Sequence, residues 1–219
     1  VGTTFAVLIG VPIGVLTAVF IAEVAPKQLA AIVKPAVELL AGIPSVIYGL
    51  LGIMILNPFM YKIEKIIFKG SSTHKFTGGS NLISAIIVLA VINISESSIR
   101  AVPREMRSAS LALGASKIQT IFKVVLPVAR SGIMSAIVLG VGRAIGEAMA
   151  ITLVSGSSVN LPLPFNSVRF LTTAIVAEMG YAADEHRQVL FTIGLILFFF
   201  IMVVNTVFAK LLSTNEKEK

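Results

Sequence analysis

Four stretches of this chain, residues 1–22, 39–61, 76–95 and 188–209, each run for 20 residues or more without an Asp, Glu, Lys or Arg. A helix crosses the roughly 30 Å hydrocarbon core of a bilayer with about 20 mostly apolar residues, and it leaves no backbone polar group unpaired there. A fifth stretch, residues 131–154, has the same length but carries Arg143 and Glu147. Hydrophobic residues make up 56% of the chain and charged residues 13%, against about 45–50% and about 25% in a soluble domain. Five such runs in 219 residues leave too little polar sequence to cover them as core helices. The expectation is an all-α, polytopic transmembrane helix bundle forming a single domain. Its spans fall at about 1–22, 39–61, 76–98, 131–154 and 188–209. Val1 is not an initiator residue and no flank precedes the first span, so a missing N-terminal segment is expected. The first run is too long for a signal-peptide core and lacks a basic n-region.

The net charge of +7 is compatible with nucleic acid, anionic lipid or an anionic substrate, and the placement of the charges separates these. Eleven Lys and Arg lie in the first and third connections and the tail, and six in the second and fourth connections. By the positive-inside rule the first set faces the cytoplasm, against membrane lipid headgroups. No basic run interleaved with aromatics suggests nucleic acid. With no Cys and only His74 and His186, no disulfide, thiolate site or histidine-rich metal site is expected. No Walker-type, G-x-S-x-G or H-E-x-x-H pattern occurs, so no catalytic residue and no bound cofactor is assigned to this chain.

The third connection, residues 104–123, is too patterned for a turn. Ile118, Ile121, Phe122 and Val125 stand at i, i+3, i+4 and i+7, which predicts one helix face. Ser116 and Gln119 form a candidate capping box. Met106, Ala109 and Leu113 make a shorter stripe that stops at Gly114, a natural corner between two short helices. Pro127 suits a helix start, where its missing N–H costs nothing. The alternative is an amphipathic helix lying on lipid.

The stretch SASLALGASKIQTIFKVVLP resembles the cytoplasmic signature of ABC importer permeases, E-A-A, three residues, Gly, nine residues, Ile-x-Leu-Pro. Ala109, Gly114, Leu126 and Pro127 match, Val124 replaces the Ile conservatively, and Ser108 and Ser110 depart from the opening Glu and second Ala. The resemblance implies the MetI-like permease core, with a coupling helix that docks on a separate ATP-hydrolysing subunit. It places Ala109, Leu113, Gly114, Ala115, Ile118, Leu126 and Pro127 at that contact.

Arg143 lies twelve residues after Ser131, about 18 Å along a helix, near mid-membrane. Glu147 falls one turn further on. A charge at that depth costs at least a few kcal/mol and is normally paired, turned inward or used. A merely structural pair is one reading. A functional cation is the other, because a guanidinium offers a planar fork of donors suited to an oxyanion. Gly140, Gly142 and Gly146 allow close approach to the backbone.

The segments GRAIGEAMAITLVSG, AGIPSVIYGLLG and LFTIGLILFFFIMVVN are similar to those of phosphate-specific ABC importer permeases, of the PstC type more than the PstA type. That resemblance implies roles for Arg143 and Glu147 in phosphate translocation. It implies as partners a second related permease, two ATPase subunits that bind ATP-Mg, and an extracytoplasmic phosphate-binding protein, in a bacterial or archaeal plasma membrane. The rivals are a permease for another oxyanion, and an ion-coupled carrier using Glu147. Among the weaker signals, Pro44 is expected to kink the second span, Asn93 to face an inner vestibule, residues 170–177 to form a short outer segment, and Glu178, Asp184, Glu185 and His186 to be solvated.

Overall fold

A computed structural model of the chain describes residues 1–97 and 114–217. Among these, four helical segments are long and apolar enough to cross a membrane: Gly2–Val24, Ser45–Ile67, Ile118–Gly146 and Asp184–Phe208. A shorter apolar stretch, Leu82–Asn93, joins them. The elements are α1 (Gly2–Val19), α2 (Lys27–Gly42), α3 (Ser45–Leu51), α4 (Asn57–Ile67), α5 (Leu82–Ser97), α6 (Lys117–Thr120), α7 (Leu126–Gly146), α8 (Met149–Val154), α9 (Leu171–Glu178) and α10 (Asp184–Lys217).

Helix α5 forms the centre of the bundle, touching α1, α2, α3, α7 and α8. It is apolar on most faces, with Ile87 and Val91 exposed on one side and Ser84 and Asn93 buried by their neighbours. Ala85, Val88, Leu89 and Ile92 of α5 join Ala6, Ala144, Ala150, Ile151 and Val154 in one buried cluster. The α1–α5 contact follows from spacing. Gly2, Ala6, Gly10, Gly14 and Ala18 recur every four residues and are all buried. A Cβ added at Gly10 would stand 2.9 Å from the carbonyl oxygen of Ala90, so the two backbones meet over a groove of small residues.

Three π turns interrupt the helices, at Phe20–Val24, Gly52–Leu56 and Ile121–Val125. Each closes with an i+5 bond from the residue before a proline: the amides of Ala25, Asn57 and Leu126 donate to the carbonyls of Phe20, Gly52 and Ile121. Pro26, Pro58 and Pro127 follow. A proline offers no amide and crowds the carbonyl four residues back, and one widened turn relieves both problems.

The observed boundaries differ from the expected ones for local reasons. The stretch 39–61 is not one span, because the chain turns extended at Ile43 and Pro44 rather than merely kinking. The Tyr48 hydroxyl crosses this break to donate to the Leu40 carbonyl at 2.5 Å. The membrane-crossing helix instead runs Ser45–Ile67, and takes in Lys62, Glu64 and Lys65. The helix of the third span starts at Leu82, six residues late, because Gly78 and Gly79 hold φ of +68° and +86°. Asn81 then caps α5, its Oδ1 accepting the Ser84 amide at 3.1 Å. The fourth span breaks after Gly146 and resumes as α8.

Candidate translocation and coupling sites

The break after Gly146 decides what Arg143 and Glu147 can do. The π turn before α7 carries Lys123 and α7 carries Arg130 near its start, and Arg143 stands 13 residues beyond Arg130, about 20 Å along the axis. Arg143 is exposed on the surface of the chain, whereas its neighbour Ala144 is buried in the central cluster. Gly132, Ser135, Leu139 and Gly146 are exposed as well and share that face by their spacing. It is a surface of glycines, Ser135 and Leu139 around one guanidinium. On α10, by contrast, Phe191, Leu195, Phe198 and Phe199 are all more than half exposed, which suits lipid or an apolar partner.

Glu147 does not continue the helix one turn beyond Arg143, as the sequence suggested. Its backbone is extended (φ −66°, ψ 125°) and its side chain is 9% exposed as part of the residue. The carboxylate Oε1 accepts the Ala150 amide at 3.1 Å, capping α8. The Thr172 hydroxyl donates to the Glu147 carbonyl at 2.9 Å, so α9 pins the same break from outside. A carboxylate at a helix N-terminus meets the positive end of the dipole. Glu147 is thus a positioning residue for the break beside Arg143.

The motifs noted in the sequence pack against each other here. Gly49 and Gly52 of the AGIPSVIYGLLG segment face α8: a Cβ at Gly49 would lie 2.8 Å from Ala150 Cα, and one at Gly52 would collide with Val154. Gly142 approaches Asn205 of α10, whose buried Oδ1 lacks a hydrogen-bond partner. Asn93 does not line a vestibule. It is 1% exposed in the α1–α5 contact, where its Nδ2 donates to the Leu89 carbonyl at 3.0 Å.

At the cytoplasmic end Gly114 holds φ +84°, the left-handed corner expected of it. The Ser116–Gln119 capping box is present, with the Ser116 amide donating to Gln119 Oε1 at 3.0 Å and the Gln119 amide to Ser116 Oγ at 3.3 Å. The single apolar face expected from 118 to 125 is split. Ile121 and Val125 are buried, while Ile118 and Phe122 are 70% and 65% exposed. The π turn inserts a residue into the register, so spacing for a regular helix misassigns the faces. Ala115 and Leu126 are half-buried and Pro127 is exposed; Ala109 and Leu113 lie outside the described residues.

One buried and one partly buried acidic centre carried no signal in the sequence. Glu64 is 0% exposed and takes His74 Nε2 at 2.8 Å, the Thr77 amide at 2.9 Å and the Thr77 hydroxyl at 3.2 Å. His74 stacks on Phe68, with ring centroids 3.7 Å apart. Glu178, expected to be solvated, instead bridges Arg169 and His186, tying the loop before α9 to the start of α10. Single-residue charge counts do not reveal such pairing across loops; among the described residues no cluster suits a metal ion.

A bundle of broken helices, four of its segments long and apolar enough to cross a membrane and one of them bearing an exposed guanidinium near its end, has the make-up of a membrane-embedded protein. The chain belongs to the family of binding-protein-dependent transport system inner membrane components, whose model matches residues 10–215. It is similar to the probable ABC transporter permease protein YqgH of Bacillus subtilis, with 38% identity over 92% of this chain and 66% of that one. It is also similar to the phosphate transport system permease protein PstC of Xylella fastidiosa, with 33% identity over 96% of this chain and 71% of the relative. The PstC of Pasteurella multocida shares 34% over 98% and 72%. The chain thus spans about two thirds to seven tenths of the length of these relatives. Its fold matches a subunit of the inward-facing MetNI methionine ABC transporter, with TM-score 0.62, 21% identity, and coverage of 97% of this chain and 88% of the other. The MetI-like fold and the family make this chain a permease subunit of an ABC importer, a multi-pass plasma-membrane protein. That membership sets aside the ion-coupled carrier.

Proposed function

We propose that this permease subunit carries inorganic phosphate across the plasma membrane, with Arg143 as the transient anion contact. The observation that carries the reading is the exposed guanidinium of Arg143 on α7, inside a helix otherwise apolar enough to cross a membrane. Its planar fork matches two oxyanion oxygens. A single cation beside a committed carboxylate gives a contact weak enough to release the ion inward. Two ATPase subunits would hydrolyse ATP-Mg, a second related permease would complete the path opposite Arg143, and an extracytoplasmic phosphate-binding protein would deliver the substrate. The exposed Ile118 and Phe122, braced by the Gly114 corner and the capping box, suit a groove on the ATPase. Movement of that corner would travel along the continuous helical run from Ile118 to Gly146 to the break that holds Arg143.

The test is phosphate uptake by the assembled transporter carrying Arg143→Gln. Uptake is expected to vanish while both permeases and the ATPase still co-purify, and normal uptake would remove Arg143 from the path. The second reading, another oxyanion, rests on the same guanidinium. Competition between radiolabelled phosphate and excess sulfate decides it, since a phosphate permease keeps its uptake.

A further inference from the structure

A polar pocket of about 530 Å³ opens where the α4–α5 connection meets the α8–α9 connection. Lys75 and Ser80 line it from the first, and Ser158, Asn160 and Ser167 from the second, with no Asp or Glu among the lining residues. The nearest carboxylate of the α4 end, Glu64, is fully buried and committed to His74 and Thr77. The wall is drawn tight at Gly156, where φ is +80° and a Cβ would stand 2.8 Å from the Ser80 carbonyl oxygen. Behind it lie three buried polar atoms without a partner: Asn57 Oδ1, Asn81 Nδ2 and Ser155 Oγ. Their residues are 4%, 0% and 0% exposed, and adjoin the lining: Asn57 donates to Ser80 Oγ at 2.9 Å, while Asn81 and Ser155 neighbour Ser80 and Gly156 in the chain. Buried polar atoms are seldom left unpaired, so the region behind the wall is suited to water or a polar ligand.

Hydroxyl and amide donors around one ammonium, without a free carboxylate, suit a tetrahedral oxyanion. We propose that this pocket receives such an anion, of the phosphate class, at the extracytoplasmic mouth before it enters the path past Arg143. The assignment rests on the import reading above and on the second and fourth connections facing outward. Neutral donors and one water-screened cation hold such an anion weakly. That is weak enough for onward transfer.

These 219 residues hold no cysteine, so labelling of an introduced thiol is read on this subunit's own band in the whole transporter, against the unsubstituted transporter as background. Ser158→Cys is labelled with a membrane-impermeant maleimide from the extracytoplasmic side, in phosphate or in chloride of equal ionic strength; Asn160→Cys serves where Ser158→Cys fails to assemble. Phosphate is expected to slow labelling. Adding Lys75→Gln should raise the half-protecting concentration about fivefold, the Coulomb contribution of one unit charge at about 4 Å in water, while Lys75→Arg keeps it. Equal labelling in phosphate and chloride, or protection unchanged by Lys75→Gln, overturns the pocket. Uptake is measured in parallel on the same vesicles. Uptake without protection overturns this proposal and leaves phosphate import standing, whereas protection without uptake supports the pocket and overturns import.

Discussion

At the scale of single residues, the two carboxylates enclosed by the fold are each committed to a local backbone. Glu147 caps α8 through Ala150 and Glu64 gathers His74 and Thr77, so their removal should read first as stability. Glu147→Gln keeps an oxygen for the Ala150 amide and should melt within a degree or two of the parent, whereas Glu147→Ala loses the cap, about 1 kcal/mol. Thermal melts of the purified complex check this, and a Gln variant as unstable as the Ala variant would show that the charge itself holds the break. Glu64→Ala removes the acceptor of the His74 ring and the Thr77 amide, and a buried polar group left unsatisfied costs about 1–3 kcal/mol. Poor recovery of folded protein is the expected outcome, and a fully stable variant would contradict the assignment. Arg143 was legible in the sequence because a cation inside an apolar run has few explanations. The cap role of Glu147 was not, because an i+4 spacing assumes an unbroken helix.

At the scale of elements, the packing is written in small residues and the irregularities in prolines. The four-residue repeat Gly2, Ala6, Gly10, Gly14, Ala18 specifies the face that α1 turns to α5, and it is visible once helix periodicity is applied to small rather than large side chains. Gly10→Val would drive a branched side chain against the Ala90 carbonyl, at an overpacking cost of about 1–3 kcal/mol. Loss of assembled transporter in detergent extracts measures it, with Gly42→Val as a control whose added Cβ meets nothing. The corner at Gly114 behaves differently. A Cβ there meets no atom of the described residues within 4 Å, so Gly114→Trp should disturb the left-handed turn and whatever docks over it, and leave the bundle folded. The ATPase is expected to be lost from the purified complex, and its retention with normal transport would dissociate the corner from coupling. Prolines at 26, 58 and 127 announce an interruption, but whether it becomes a π turn or a break depends on neighbours that a single sequence does not rank.

At the scale of the whole molecule, four of the five expected apolar passages appear as helices long enough to cross a bilayer, whose thickness sets that length, while Leu82–Asn93 is shorter. The ends of these passages were not legible, because Glu64 enters the α4 end hydrogen-bonded to a histidine ten residues away, and Pro44 divides a run that carries no charge. The same scale separates two exposed surfaces that hydropathy alone would merge. One face of α10 presents Phe191, Leu195, Phe198 and Phe199, whereas one face of α7 presents Gly132, Ser135, Leu139, Arg143 and Gly146. Hydrocarbon accepts the first without cost and penalises the second through its guanidinium, so the α7 face should border water and a partner helix. Thiols placed on each surface discriminate them, since the chain has none of its own. Ser135→Cys should react with a water-soluble thiol reagent, at a rate that changes when the ATPases are trapped with nucleotide. Phe199→Cys should react only with a lipophilic one, whatever the nucleotide. Equal reaction of both positions with the water-soluble reagent, indifferent to nucleotide, would mean that the α7 face does not line the path and that Arg143 serves assembly instead.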